Sequence, residues 1–390
     1  MIERTIIAEL KELLEDFPAV ILVGPRQVGK TTLSNDVLLQ LSQDTIYIDL
    51  ENQLDFEILK NNSVGYLSQL EDFCVAIDEV QAIPELFSAL RHLIDKNRKP
   101  GRFILLGSAN PILVSGVSES LAGRIAYLEI TQINIIEAFN SKIDQNTHWF
   151  RGGFPEPLLA SSNKKWSNWT KNFISTYVYR DLNKFFGIDL NPIILEKLWM
   201  MIAHINSGIE NTEHIGRSLG VKGNTIKKYI DFMEGAFLVR RLAPWHINNG
   251  KRLVKSPKLY MRTTGLLHYM LQINDFLALQ RHPAVGASWE SYVIEQIFSL
   301  KNEGVQIYYY RTHNGAEVDL VFVRGITPVA TVEIKLGDSP VLSRGYYEAI
   351  KDLQTTQNFL ITPNSKSWIT KEAVQVCSLI DFSKKFLPNI

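Results

Sequence analysis

Gly24-Pro25-Arg26-Gln27-Val28-Gly29-Lys30-Thr31-Thr32 sets two glycines, a lysine and two hydroxyls where successive backbone amides can turn inward around an anion. The spacing G-x-x-x-x-G-K-[ST] is that of a phosphate-binding loop. Its lysine reaches the β- and γ-phosphates, and the next hydroxyl takes a magnesium ion. Lys30 and Thr31 hold those places here, and a helix beginning after the loop adds its positive dipole end. The alternative is a glycine-containing turn ahead of an ordinary helix.

A second group lies downstream. Phe73 to Ile77 is an apolar run that ends in Asp78-Glu79. An acid at a strand end can hold Mg²⁺, which suits Asp78, and the following Glu79 can polarise an attacking water. Phe103 to Gly107 is another apolar run tipped by Ser108, a candidate sensor of the γ-phosphate, with plain turn chemistry as the alternative. Arg124, in Ser120-Leu121-Ala122-Gly123-Arg124, could stabilise transition-state charge or simply be a solvated surface arginine.

These residues need a scaffold. Up to about residue 148, short apolar runs at 19–23, 45–50, 73–77, 103–107 and 126–130 alternate with helical patterns. That alternation predicts an α/β parallel sheet covered on both faces. Residues 149–284 read as mostly helical, and 285–390 as a helix followed by β-runs at 305–312, 318–323, 329–336 and 358–361. A chain of 390 residues accommodates this three-part division.

The composition, 45% hydrophobic and 21% charged, is that of a globular protein. No apolar run is long enough to span a membrane. The two cysteines, Cys74 and Cys377, share no metal or disulfide spacing and point to a reducing compartment. The polar start predicts no signal peptide, so a cytoplasmic location is expected.

Net charge is zero, but it is unevenly spread. Between Arg217 and Arg262 there are eleven Lys/Arg against two acids, a local balance of +9. Within that block, residues 212–234 read as helix, tight turn, helix, with Gly216 at the crossing and Gly220 in the turn. Lys222, Asn224, Thr225, Lys227 and Lys228 fall on the first turns of the second helix, the positions that reach DNA in helix-turn-helix proteins. Residues 237–242 and 253–260 can pair as a wing, bringing Arg240 and Arg241 nearby. DNA contact is expected, mostly to phosphate. The alternative is a packing module whose lysines are solvated.

GPRQVGKTT, the acid strand ending DEVQ, the GSAN tip and SLAGR together resemble a family of prokaryotic AAA-type ATPases. RGGFPEP (151–157), YRDL (179–182) and KSPKLYM (255–261) resemble the same family. The resemblance implies a P-loop NTPase sheet that binds and hydrolyses ATP with Mg²⁺, and the nine loop residues become its ATP site. Homo-oligomers and protein partners are compatible with it. It also implies a C-terminal α/β domain of restriction-endonuclease-like, PD-(D/E)XK type, to stand beside the winged helix read from the residues of the helical middle. One departure is Thr263, where the family often has Asp two residues before its Gly-Leu pair.

Asp319 and Glu333-Ile334-Lys335 fit the D…ExK pattern of that nuclease superfamily, and Glu290 matches its acidic helical position. If a hairpin turns about Ile326, Asp319 lies opposite Glu333 and Lys335 shares their face. Carboxylates about 5 Å apart repel unless a cation separates them. Mg²⁺ would suit that gap, with Lys335 orienting water. Glu295 points about 140° round the helix from Glu290, outside the site. A one-residue change of register would place the carboxylates on opposite faces. The competing expectation is a nucleotide-switched DNA-binding or regulatory protein without nuclease activity.

Overall fold

The structure, a computed structural model, describes residues 2–108, 121–177, 191–246, 253–337 and 341–390. Ala109, Asn110, Ser120, the 179–182 motif, Lys251 and Arg252 lie outside the described residues. The chain divides into two compact units, one of residues 1–133, 175–190 and 231–238, the other of residues 134–174, 191–230 and 239–390.

The first unit is built on five parallel strands: β1 (Ala19–Val23), β2 (Thr45–Asp49), β3 (Cys74–Asp78), β4 (Phe103–Gly107) and β5 (Ile125–Glu129). Their order is β2-β3-β4-β1-β5. Every residue of β1, β3 and β4 is buried, which explains their unbroken hydrophobicity. Strand β1 lies between β4 and β5, while its successor in sequence, β2, sits at the far edge. Such a reversal of strand order opens a crevice beyond the carboxyl ends of the strands. Loop 24–29, Asp78 and Ser108 all leave the sheet at those ends. The helix after the loop spans Lys30–Leu38, two residues earlier than its apolar pattern suggests, because Gly29 takes a left-handed φ of 100° and the helix begins at the lysine itself.

The second unit contains the helix–turn–helix, Thr212–Leu219 followed by Gly223–Gly235, the latter running on into the first unit at Asp231. A Cβ on Gly216 would stand 2.6 Å from the carbonyl oxygen of Val221, so the helices cross too closely there for any side chain. Gly220 ends the first helix at φ 71°. An antiparallel pair follows, β6 (Val239–Leu242) with β7 (Lys258–Met261). Leu253, expected in that pair, instead bridges to Thr312.

A helix, Val285–Leu300, leads into a six-stranded mixed sheet. Its strands are β8 (Gln306–Arg311), β9 (Glu317–Arg324), β10 (Thr327–Ile334), β11 (Gln357–Thr362), β12 (Trp368–Ile369) and β13 (Val374–Ser378). The order β12-β13-β11-β10-β9-β8 combines an antiparallel β8-β9-β10 meander with parallel β10-β11-β13 neighbours. The β9–β10 hairpin turns at Gly325-Ile326, so Arg324 pairs with Thr327. A bulge between Pro328 and Ala330 then shifts the register until Val332 faces Leu320. The shift leaves Asp319 and Glu333 as the next pair along. The expected opposition therefore holds, but a tighter turn plus a bulge produces it.

Among the described residues no helix is long and apolar enough to cross a membrane.

Candidate functional site

The phosphate loop is held open by its backbone. Gly24 has φ 155°, and a Cβ there would stand 2.4 Å from the carbonyl oxygen of Ile130. Gln27 and Gly29 also take positive φ, of 62° and 100°. Pro25 and Val28 complete the turn, and the Arg26 guanidinium pairs with Glu51 at 2.7 Å. The Arg26 amide donates to the Tyr177 hydroxyl at 3.3 Å.

Lys30 is buried, and its ammonium donates to Gly24 O at 3.0 Å, Pro25 O at 3.0 Å and Ser108 Oγ at 3.1 Å. Burial drives its pKa down to about 8, against the opposing pull of Glu79 and Asp78. Ser108 Oγ in turn donates to Glu79 Oε1 at 2.9 Å. The other Glu79 oxygen accepts from Gln81. Burial raises the Glu79 pKa, with Lys30 opposing. Glu79 itself sits at φ 52°, a strained left-handed conformation for a glutamate.

Thr31 Oγ1 donates to Asp78 Oδ2 at 2.7 Å, and the Tyr47 hydroxyl donates to that same oxygen at 2.5 Å. Asp78 Oδ1 accepts from the Glu79 amide at 2.8 Å. Lys30, Ser108 and Glu79 are thus linked side chain to side chain, as are Thr31 and Asp78, and the Glu79 amide on Asp78 joins the two sets. Thr32 follows in the first helical turn. The hard-oxygen pair Thr31–Asp78 fits Mg²⁺, and the glycine-lined amide cradle fits a triphosphate. Arg124 is placed differently. Its guanidinium forms a two-pronged pair with Asp95, at 2.7 and 2.8 Å, and donates to Ala122 O.

The C-terminal carboxylates are also gathered, but around a lysine. Lys258 Nζ lies 3.5 Å from Glu290 Oε1, 3.2 Å from Glu317 Oε1 and 3.6 Å from Asp319 Oδ1. The Lys258 side chain is only 5% exposed. Burial alone would lower its pKa; Glu290, Asp319 and Glu317 outweigh that and hold it above the ordinary lysine range. Tyr260 donates to Glu290 Oε1 at 2.6 Å, and the Ile334 amide donates to Asp319 Oδ2 at 2.9 Å. Lys335 holds Glu333 Oε1 at 2.6 Å, while the buried Glu333 Oε2 accepts no hydrogen bond among the described residues. Burial and then Asp319 push both Glu290 and Glu333 above the usual carboxylate range.

The expected Mg²⁺ trio of Glu290, Asp319 and Glu333 needs correction. Among the described residues no three His, Cys, Asp or Glu side chains are grouped to hold a metal ion. The cation among these acids is an ammonium, and a second ammonium takes Glu333. Glu295 stands apart, as its helical angle requires, and binds Arg240 and Arg262.

That contact corrects a second expectation. Arg240 is clamped by Glu295 and stacks over Phe298 at 3.9 Å, and Arg241 pairs with Glu210 at 2.7 Å. Neither joins the exposed Lys222, Asn224, Lys227 and Lys228, or the half-buried Thr225, on the second helix. With Lys258 and Arg262 also paired, four of the block's eleven basic residues have their counter-charges in acids from outside it.

Tyr47, Tyr177, Lys258, Tyr260 and Glu317 were not singled out by sequence. Tyr47 carried no sequence signal: its place follows from the β2–β3 register, in which it pairs with Ala76, two residues before Asp78 on the same side. Lys258 carried one, as a lysine inside an apolar strand, where burial demands a partner. Thr263 is buried, and its hydroxyl finds no partner among the described residues. Gly152 and Gly265 bring the 151–153 and 263–266 segments together, a Cβ on Gly265 falling 2.0 Å from Arg151 O.

Residues 16–139 match an AAA domain. Residues 142–277 and 285–381 match two domains of unknown function, DUF8612 and DUF4143. Two relatives, the uncharacterized proteins Mb2031c of Mycobacterium bovis and Rv2008c of Mycobacterium tuberculosis, are each 38% identical over 371 residues, 95% of this chain and 82% of theirs. Among solved structures, a Walker-type ATPase of Pyrococcus abyssi aligns at TM-score 0.48 and 14% identity, over 70% of this chain and 96% of that one. A signal-transduction ATPase of Pyrococcus horikoshii with a tetratricopeptide-repeat sensor aligns at TM-score 0.30 and 12% identity, over 78% of this chain and 46% of that one.

Proposed function

The chain belongs to the same family as the two mycobacterial proteins and carries an AAA-type P-loop domain, and from that premise we propose that it hydrolyses ATP with Mg²⁺. The observation that carries the proposal is the connected set Lys30–Ser108–Glu79 and Thr31–Asp78, drawn from the ends of three strands. The loop amides and Lys30 hold the phosphates. Thr31 and Asp78 are the residues that would hold Mg²⁺, whose role when bound is to neutralise phosphate charge. In leaving the carbonyls of Gly24 and Pro25 for the γ-phosphate, Lys30 also releases Ser108, which then follows either the phosphate or Glu79. Glu79 orients a water and takes its proton as the water oxygen bonds to the γ-phosphorus and the bond to the β-phosphate bridging oxygen breaks. Arg124, held by Asp95 in a two-pronged pair, would have to leave that pair to stabilise transition-state charge.

We assign nucleotide turnover to residues 1–148, DNA contact to the helical region 149–284 with its winged helix, and a nuclease-like unit to 285–390, the alternative being a DNA-binding or regulatory protein without nuclease activity. DNA contact rests on the exposed Lys222, Asn224, Lys227 and Lys228 at the start of one helix. Two buried thiols are in keeping with a cytoplasmic setting.

The test is ATP turnover with and without DNA, for wild type and Lys30→Ala. Turnover stimulated by DNA and lost in the variant is the expected result. Turnover unchanged in Lys30→Ala would refute the site. If reversing Lys227 and Lys228 to Glu leaves DNA retention unchanged, the basic helix contacts a protein partner instead.

A further inference from the structure

We propose that Lys258 is a built-in counter-ion that stands in for a divalent metal, completing the C-terminal acid cluster and excluding Mg²⁺ from it. The resemblance to metal-dependent nucleases calls for a divalent ion among Glu290, Asp319 and Glu333. The residues do not fit one. Lys258 projects from β7, the strand formed by the KSPKLYM motif, and its ammonium lies 3.2–3.6 Å from three carboxylates on two other elements. The ring of Tyr309 closes the site at 5.5 Å from Nζ.

A lysine this deeply buried is stable only among acids, and acids this close together are stable only around a cation. Each therefore accounts for the other. A dication entering beside Lys258 would meet a like charge within a few ångströms in a poorly hydrated site. The carboxylates carry further partners, Tyr260 on Glu290 Oε1, the Ile334 amide on Asp319 Oδ2 and Lys335 on Glu333 Oε1, which leaves Glu333 Oε2 as a buried oxygen with no hydrogen bond among the described residues. The cluster joins β7, the Val285–Leu300 helix and the β9–β10 hairpin, so Lys258 does structurally what a bound metal does elsewhere. This inference is independent of ATP hydrolysis and of DNA contact, and it stands or falls on metal binding alone.

The experiment is Mn²⁺ titration of the full chain without nucleotide, followed by paramagnetic resonance of free Mn²⁺ and by thermal unfolding. A Lys30→Ala background silences the phosphate loop. With Lys258 present, no binding that depends on Asp319 is expected below millimolar Mn²⁺. Binding lost on Asp319→Asn would overturn the proposal. Lys258→Ala should gain one Mn²⁺ site, at least tenfold tighter than any in its parent, and become metal-stabilised. Lys258→Arg, which keeps the charge, should gain none. If Lys258→Ala does not fold in chelator, recovery of folded protein on adding Mn²⁺ is the same expected result. Failure to gain a site, or to recover with metal, overturns the proposal.

Discussion

Replacing Tyr47 by Phe isolates one contact of the nucleotide site. Asp78 Oδ2 accepts two hydroxyls, from Thr31 at 2.7 Å and from Tyr47 at 2.5 Å, while Oδ1 accepts the Glu79 amide. Phe keeps the ring that packs at the β2 edge and deletes only the donor. A hydrogen bond to an ionised group is worth about 1.5–3 kcal/mol. Tyr47 is partly exposed, and two donors remain on Asp78, so about 1 kcal/mol is the reasonable share. Burial, reinforced by Asp78, raises the phenol pKa, so Tyr47 remains a donor throughout an ordinary assay range. Losing that donor lets the Asp78 carboxylate rotate away from the alignment with Thr31. The Mg²⁺ concentration for half-maximal turnover should therefore rise about fivefold, the ratio that 1 kcal/mol represents. Calorimetry of ADP binding separates metal from nucleotide. Affinity should fall by the same factor with Mg²⁺ and stay unchanged in chelator. An unaltered Mg²⁺ dependence, or an equal loss in chelator, would refute the positioning role.

Gly24→Ala should abolish ADP binding in the same calorimetry, because the added Cβ meets Ile130 O at 2.4 Å at a φ of 155°; retained affinity would show that the cradle yields easily. Gly265→Ala should destabilise the second unit by about 1–3 kcal/mol or more, since its Cβ would fall 2.0 Å from Arg151 O, and the urea midpoint reads it directly. His268 is buried, donor and acceptor between Phe150 O and Ser288 Oγ, and burial holds its pKa at about 4, below the ordinary 6.5. The folded chain then binds fewer protons than the unfolded chain between those values, so stability is complete above pH 6.5 and falls as pH drops towards 4. The loss is on the order of 3 kcal/mol. Urea unfolding at pH 7 and pH 4.5 should show the fall in wild type and a smaller one in His268→Asn; parallel curves would count against it.

The phosphate loop was legible because it is contiguous: nine consecutive residues define both the backbone shape and the groups it presents. Strands β1, β3 and β4 were legible for a related reason, since burial on both faces writes itself as unbroken hydrophobicity. The β9–β10 opposition was predicted correctly on incomplete grounds, because a bulge restores a register that the tight turn at Gly325-Ile326 displaces. Strand order could not be read, and Tyr47 was missed with it. Its contact with Asp78 exists only because β2 lies beside β3, and nothing in either segment states that. Strand β12, two exposed residues, Trp368 and Ile369, lacked a recognisable signal as well.

Charge shows most clearly where the sequence misleads. Counting along the chain made residues 217–262 strongly basic and made Glu290, Asp319 and Glu333 a set of acids short of a cation. The two conclusions supported separate functions, DNA binding and metal-dependent cleavage, and looked independent. They share Lys258. Its charge counted once towards a DNA surface and, in effect, a second time as a missing metal, yet its contacts with Glu290, Glu317 and Asp319 lower both totals at once. Arg240, Arg241 and Arg262 repeat the pattern with Glu295 and Glu210. Local charge balance therefore predicts a polyanion surface only for residues whose counter-charges are also local. Among the described residues that condition leaves Arg217, Lys255 and the exposed side chains at the start of the 223–235 helix, and with them a weaker salt dependence than eleven basic residues would give.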